Sequence, residues 1–162
     1  MKQKIIITGG TGYIGSHTAV EFIQNGFEVV IVDNLRNSDI SVLDRIEEIT
    51  GVKPEFEEID LTDNKKSSLF FNRHKDAKAV INFAALKAVG ESVQKPIEYY
   101  RNNINILLNV LENMEINNIP NLIFSSSATV YGRPDKLPIT EKSETKRPTS
   151  PYGNTKKLEK ES

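Results

Sequence analysis

The sequence predicts a doubly wound α/β fold around a parallel sheet, and three observations carry that prediction. Short apolar runs alternate with amphipathic stretches from one end to the other, with no internal repeat. The first run, residues 4–8, holds three consecutive isoleucines, as a central strand covered on both faces requires. It breaks into a glycine-rich turn, Gly9-Gly10-Thr11-Gly12-Tyr13-Ile14-Gly15, which opens a helical pattern.

In order, residues 4–8 form the first strand and 13–25 the first helix, with Ile14, Ala19, Phe22 and Ile23 expected inward and Gly26 as its stop. Residues 28–32 form the second strand, leading into Asp33. A polar loop over 34–41 precedes a short amphipathic helix over 42–50, closed by Gly51. Residues 54–59 form a third strand of weaker pattern. Thr62 or Asp63 is placed to cap a helix that runs to about His74. Residues 78–83 form the fourth strand, and 84–95 a loop rich in small residues. The longest helix covers 96–117, with Pro96 suited to its first position. Ile97, Tyr100, Ile104, Leu107, Leu108, Leu111 and Met114 recur at helical steps, as a core stripe that could also offer a face to a partner subunit. The fifth strand covers 122–126. A long loop with three prolines follows over 128–150, and Pro151-Tyr152 opens a last helix. Five such strands fit the order 3-2-1-4-5, which puts a ligand cleft where the order reverses, between the first and fourth strands.

Bulk properties narrow the function. The 162 residues suffice for one domain with a substantial core. A formal net charge of −1 gives no electrostatic case for nucleic acid or anionic membrane as partner. There is no cysteine, hence no disulfide framework and no thiolate metal site, which fits a cytoplasmic location. No apolar run approaches the ~20 residues that span a bilayer, and the first strand begins too early to leave room for a signal peptide. His17 and His74 lie far apart, each in a helical pattern, and read as surface or helix-packing groups; no metal site is expected.

The glycine turn points to a dinucleotide. Gly9 permits the tight turn, Gly12 lets the backbone approach a pyrophosphate, and Gly15 lets the helix pack closely on its strand. The pyrophosphate would sit on the helix N-terminus, where unpaired N–H groups and the dipole favour anions. Asp33, at the end of the next strand, is placed to accept hydrogen bonds from ribose hydroxyls. A carboxylate there repels a 2′-phosphate, so NAD is expected rather than NADP. No Gly-Lys-Ser/Thr follows the glycines, which argues against a nucleoside-triphosphate loop. Asp60 lies at the carboxyl edge of the sheet, where ligands bind, although capping is the plainer role for its cluster.

Tyr152 and Lys156 stand one helical turn apart. An ammonium near a phenol lowers its pKa from the usual ~10, which would make Tyr152 a usable base. Ser127 could hold a substrate hydroxyl beside it. Alone, this spacing reads equally as a surface pair, and Ser125-Ser126-Ser127 as a turn. Joined to a dinucleotide unit in this order, they provide the parts that hydride transfer from a carbinol carbon needs.

The motifs Thr8-Gly-Gly-Thr-Gly-Tyr-Ile-Gly-Ser-His17, Asp33-Asn-Leu, Asn82-Phe-Ala-Ala-Leu-Lys-Ala-Val-Gly-Glu-Ser-Val-Gln-Lys-Pro96, Tyr99-Tyr-Arg-Asn-Asn103, Ser125-Ser-Ser-Ala-Thr-Val-Tyr-Gly132 and Ser150-Pro-Tyr-Gly-Asn-Thr-Lys156 span essentially the whole chain. Through them it resembles the N-terminal half of the UDP-glucose 4-epimerase family, in the extended short-chain dehydrogenase/reductase superfamily. The resemblance implies a Rossmann-like NAD-binding domain over 1–162, without the last strand or strands and without the substrate domain of that family. It implies NAD contacts from Gly9, Gly12, Tyr13, Ile14 and Gly15 of the turn, and from Asp33, Asn34, Asn37 and Ser38. Asp60 and Leu61, Phe83 and Ala84, then Lys87 and Asn102, complete that set. Ser127, Tyr152 and Lys156 would be catalytic, with Tyr152 as base and Lys156 also on the cofactor ribose. In the family, the phenol takes the proton of the sugar C4 hydroxyl while hydride passes to NAD. The ketone turns over, and hydride returns to its other face, interconverting UDP-glucose and UDP-galactose. Pairing of two subunits through the Pro96 and Tyr152 helices is implied as well. Asn82 and Arg101 depart from the usual family residues. Two other readings remain: a related nucleotide-sugar enzyme such as a 4,6-dehydratase, against which Ser125-Ser126-Ser127 argues, and a non-catalytic NAD-binding or subunit-interaction fragment.

Overall fold

The computed structural model describes residues 2–161. They fall into two compact units. The first runs up to Ala84 and takes in Leu108–Ser125; the second holds Ala85–Leu107 and the chain from Ser126 onward.

The first unit is the parallel sheet with its helices. Its strands are β1 (Lys4–Thr8), β2 (Glu28–Asp33), β3 (Glu55–Glu58), β4 (Ala79–Asn82) and β5 (Leu122–Phe124). They lie in the order β3-β2-β1-β4-β5, all parallel, as expected. In register, Ile6 stands beside Val30 on one side and Val80 on the other. Successive strand residues point to opposite faces. Ile5, Ile7, Val29, Ile31 and Ile81 therefore share one face, where they pack with Ala19 and Ile23 of α1 (Tyr13–Gln24) and Leu43 and Ile46 of α2 (Val42–Thr50). Ile6, Val30, Val32 and Val80 point the other way and are equally buried. Burial on both faces is why these strands read as continuous apolar runs. α3 (Asn64–Arg73) contributes the fully buried Phe70 and Phe71.

Helix ends follow their sequence signals. Asp63 is the N-cap of α3 and accepts from the Lys66 N–H at 3.1 Å. Gly51 closes α2 with φ +73°. Ile14 does not point inward as expected. It is 60% exposed, because it sits in the first turn of α1, beyond the carboxyl ends of the strands.

α5 (Pro96–Ile116) contributes its first half to the second unit and its second half to the first. Its buried stripe is rotated from the expected one. Tyr99, Asn103, Ile106, Leu107, Val110, Asn113 and Met114 are buried, whereas Ile97 and Leu108 are exposed. The interior face includes asparagines, which a count of apolar residues excludes.

The second unit also differs from expectation over residues 84–95, where α4 (Val89–Gln94) replaces a loop. The Ser92 hydroxyl donates to the Val89 carbonyl, and Lys95 pairs with Glu91 one turn back. Its last helix is α6 (Pro151–Glu161), preceded by a 3-10 turn at Ala128–Tyr131. Ser150 accepts from the Gly153 N–H at 3.1 Å, and Pro151 takes the first helical position.

Candidate functional site

In the first unit, the predicted cradle forms at the carboxyl ends of β1 and β4. Gly9 has φ +66° and donates its N–H to the Val32 carbonyl at 2.8 Å. A Cβ on Gly9 would stand 2.7 Å from the Ala84 nitrogen, and one on Gly15 would overlap the Gly9 carbonyl oxygen. Phe83 and Ala84 thus lie directly against the turn. Among the described residues, the neighbour within 4 Å of such a Cβ at Gly12 is the Gly9 carbonyl oxygen, at 3.2 Å. Backbone packing makes stronger demands at Gly9 and Gly15 than at Gly12. Gly12 is also the N-cap of α1, and no side chain caps the helix there. The first-turn N–H groups are therefore left for an anion. Tyr13 and Ile14, in that same turn, are exposed. The His17 and Tyr13 rings lie 4.7 Å apart, tilted by 51°.

Asp33 closes the cradle at the end of β2. Its carboxylate accepts from the Thr11 N–H at 3.2 Å and the Leu35 N–H at 3.1 Å. Ser38 meets the Thr11 hydroxyl at 2.7 Å and lies 3.5 Å from the carboxylate. Asn34 accepts from the Arg36 N–H, and Asn37 is exposed in the same loop. Thr11, buried between the glycines, was not expected as part of the site; it ties the turn to Asp33 and Ser38. Asp60 accepts from both the N–H and the hydroxyl of Thr62, a local turn. Leu61 is buried, and its carbonyl accepts from Asn109 at 2.8 Å.

At the switch point, the Thr8 hydroxyl donates to Asn82 Oδ1 at 2.6 Å and accepts from the Ala84 N–H. Asn82 is fully buried, yet its Nδ2 has no partner among the described residues. The uncapped helix, the glycine turn and the half-buried carboxylate at Asp33 together fit a dinucleotide.

The second unit holds the remaining predicted residues. Lys87 is exposed between β4 and α4. Asn102 donates to Asn103 Oδ1 at 3.0 Å. Asn103, which the sequence did not single out, is fully buried. It accepts from the Leu86 N–H and donates to the Leu86 carbonyl and the Thr155 hydroxyl. One amide thereby fastens the segment before α4 to α6. Its sequence signal was a polar pair inside an apolar stripe.

Ser127 caps the 3-10 turn through bonds to the Thr129 N–H and hydroxyl. Gly153 permits α6 to approach closely: a Cβ there would stand 2.9 Å from Pro148 Cβ. Tyr152 is half-buried. Burial pushes its phenol above the ordinary value, the Ser127 bond pulls it down, and the Glu159 carboxylate raises it further. This reverses the direction expected from Lys156. The largest cause is burial of the phenol; Lys156 itself is paired on the same helix, its Nζ 3.2 Å from Glu159 Oε2. Burial pushes the Lys156 ammonium down, opposed by Glu159.

One further cluster lies in the first unit. Ligand atoms of Glu55, Glu57 and His74 stand within 4.8 Å of one another. Glu57 accepts from Arg73 and meets His74 Nε2 at 2.9 Å. His74 Nδ1 is buried without a partner among the described residues, whereas a metal-bound histidine has its other nitrogen anchored. The cluster is therefore an ion-pair clasp between β3 and the end of α3.

Comparison with known proteins gives consistent matches. The profile of the NAD dependent epimerase/dehydratase family matches residues 5–160. The chain is 50% identical over 154 residues to UDP-glucose 4-epimerase of Yersinia enterocolitica, covering 95% of this chain and 46% of that protein. It is 48% identical over 160 residues to UDP-glucose 4-epimerase of Mus musculus, again covering 95% and 46%. Among solved structures, UDP-glucose 4-epimerase from Bifidobacterium longum in complex with NAD+ and UDP aligns with a TM-score of 0.94. That match has 44% identity and covers 98% of this chain and 47% of that one. The chain thus spans about half the length of the curated relatives it matches.

Proposed function

The chain belongs to the NAD dependent epimerase/dehydratase family, and from that membership we propose that it supplies the cofactor grip and the base of a UDP-glucose 4-epimerase. Its substrates would be UDP-glucose and UDP-galactose, and residues 1–162 would act as the NAD-binding domain. The observation that carries this reading is a half-buried Tyr152 phenol on which the Ser127 hydroxyl acts to lower its pKa. A phenol and a hydroxyl so related could meet one alcohol oxygen of a substrate.

When bound, NAD accepts hydride from a carbinol carbon and gives it back. The chain's own residues do the rest. Tyr152 takes the proton of the sugar C4 hydroxyl as hydride departs and returns it when hydride comes back. Ser127 orients that oxygen. Lys156 serves the cofactor ribose. Asp33 takes the adenosine ribose, with Asn34, Asn37 and Ser38 around it, and the first turn of α1 takes the pyrophosphate. Asp60 and Leu61, Phe83 and Ala84, and Lys87 and Asn102 are assigned to the cofactor on the family resemblance. A 4,6-dehydratase needs an acid and a base where this chain has only the hydroxyls of Ser125, Ser126 and Ser127.

Self-association is assigned to α5 and α6, which leave Ile97, Leu108 and Leu158 exposed. A cytoplasmic setting accords with the lack of cysteine. The half-length span favours one second reading, a module that binds NAD without turnover.

An assay with UDP-galactose separates the two. Turnover that falls by about 10²–10⁴-fold in Tyr152→Phe supports the epimerase reading and the base. Turnover that survives the substitution refutes Tyr152 as base. NAD binding with no turnover in the parent chain assigns it to the module.

A further inference from the structure

Lys87 opens an exposed run over residues 87–90, between β4 and the body of α4. The backbone on both sides of it is held by side chains of α5. Asn103 Oδ1 accepts from the Leu86 N–H at 2.8 Å, and its Nδ2 donates to the Leu86 carbonyl at 3.0 Å. The Ala88 N–H donates to the Tyr99 hydroxyl at 3.1 Å. Tyr99 and Asn103 stand four positions apart on one face of α5, and both are fully buried. An exposed lysine is thus set between two backbone anchors that belong to one buried helix face.

The Tyr99 phenol is itself oriented. A tyrosine hydroxyl has one proton to give, and Tyr99 donates it to Glu91 Oε2 at 2.8 Å. Its oxygen is then turned to accept, as the Ala88 N–H requires. Glu91 Oε1 pairs in turn with Lys95 Nζ at 3.1 Å. The Tyr99 ring would fill its core position without the hydroxyl. What the hydroxyl adds is a bond to the residue after Lys87 and a bond into the first turn of α4.

We propose that Tyr99 is a positioning residue for Lys87: its hydroxyl, aimed by Glu91, fixes the Ala88 backbone and so the base from which the Lys87 ammonium reaches an oxygen of the bound cofactor. A lysine has a flexible four-carbon stem. Fixing its base before binding lowers the ordering cost that binding would otherwise carry. The proposal rests on the reading of Lys87 as a cofactor contact.

The test is an NAD titration of the full chain as a double-mutant cycle. Tyr99→Phe keeps the ring, and Lys87→Met keeps an unbranched stem without the charge. Each variant is expected to weaken NAD binding about tenfold. The two together are expected to bind no more than about twofold more weakly than Lys87→Met alone. A phenol that served only the fold would weaken binding by the same factor with or without the ammonium. Losses that multiply to about a hundredfold therefore overturn the proposal and leave the cofactor role of Lys87 standing. Parent affinity in Lys87→Met refutes that role, and the proposal with it. Amide exchange at Ala88 tests the anchor without cofactor. Exchange about tenfold faster in Tyr99→Phe, with Leu86 at the parent rate, is expected; an unchanged rate at Ala88 overturns the proposal. Where Tyr99→Phe does not fold, Glu91→Leu removes the acceptor that orients the phenol and is expected to give the same pattern in both measurements. Glu91→Gln, which still accepts, is expected to restore the parent values.

Discussion

The glycines of the first turn are demanded by different neighbours, and substitution separates them. A methyl at Gly15 presses on the Gly9 carbonyl and on Gly10 Cα at 2.8 Å, both backbone atoms that have nowhere to go. Gly15→Ala is therefore expected to destabilise the fold by about 1–3 kcal/mol, read as a lower thermal midpoint. A methyl at Gly12 meets one oxygen at 3.2 Å, on a backbone with φ −70° that alanine tolerates. Gly12→Ala is expected to stay within about 1 kcal/mol of the parent, yet to weaken NAD binding tenfold or more, about 1.4 kcal/mol. Equal loss of stability in both variants would contradict the division. At this scale the sequence was most legible where a residue's role follows from its immediate neighbours. The tight turn at Gly9 and the close packing at Gly15 were legible in a glycine run set between a strand and a helix. Thr11 and Asn103 were not. Thr11 acts through Asp33, 22 positions on, and Asn103 through Thr155, 52 positions on. Glu159 was missed for another reason: a carboxylate near the end of a charged helix reads as solvated, and only the fold buries it.

Among the elements, α5 shows where periodicity stops being sufficient. Several apolar faces are available on this helix, and the one buried is chosen by Asn103 and by Asn109, which grips the Leu61 and Thr62 carbonyls. Polar anchors set the rotation, so a stripe of apolar residues read a step away. α4 escaped notice because six residues with a glycine among them carry little helical signal, and contacts such as the Tyr99–Glu91 bond at 2.8 Å are made across the loop. β3, by contrast, has an interaction that can be titrated. Burial pushes the Glu57 carboxyl up, but bonds from Arg73 and His74 outweigh it and hold it below the ordinary carboxylate value. A folded pKa below the unfolded one stabilises at pH above the unfolded value of ~4.3, and that contribution fades as pH falls through the folded value. The difference in melting temperature between the parent and Glu57→Gln is therefore expected to be largest near neutral pH and to close below about pH 4. A difference that persists unchanged in acid would show that the clasp is not held by the ionised carboxylate.

For the molecule as a whole, the strand order was fully legible, because alternation of apolar runs with helices leaves few parallel arrangements. Its consequence for function is that the strand order reverses between β1 and β4, and the glycine turn, Asp33 and the Thr8–Asn82 bond lie in one unit. The Ser127–Tyr152 pair and its Lys156–Glu159 neighbour gather in the other. The electrostatics of that second group were not legible, since they depend on burial, which no spacing encodes. The proposed reaction draws on both groups, and the cofactor grip is its first requirement. The most direct test is a titration of the purified chain with NAD, with NADP in parallel. Saturable binding of NAD, with NADP much weaker because Asp33 repels its 2′-phosphate, is the predicted result. A folded chain that binds neither, or that binds NADP as well as NAD, would contradict it.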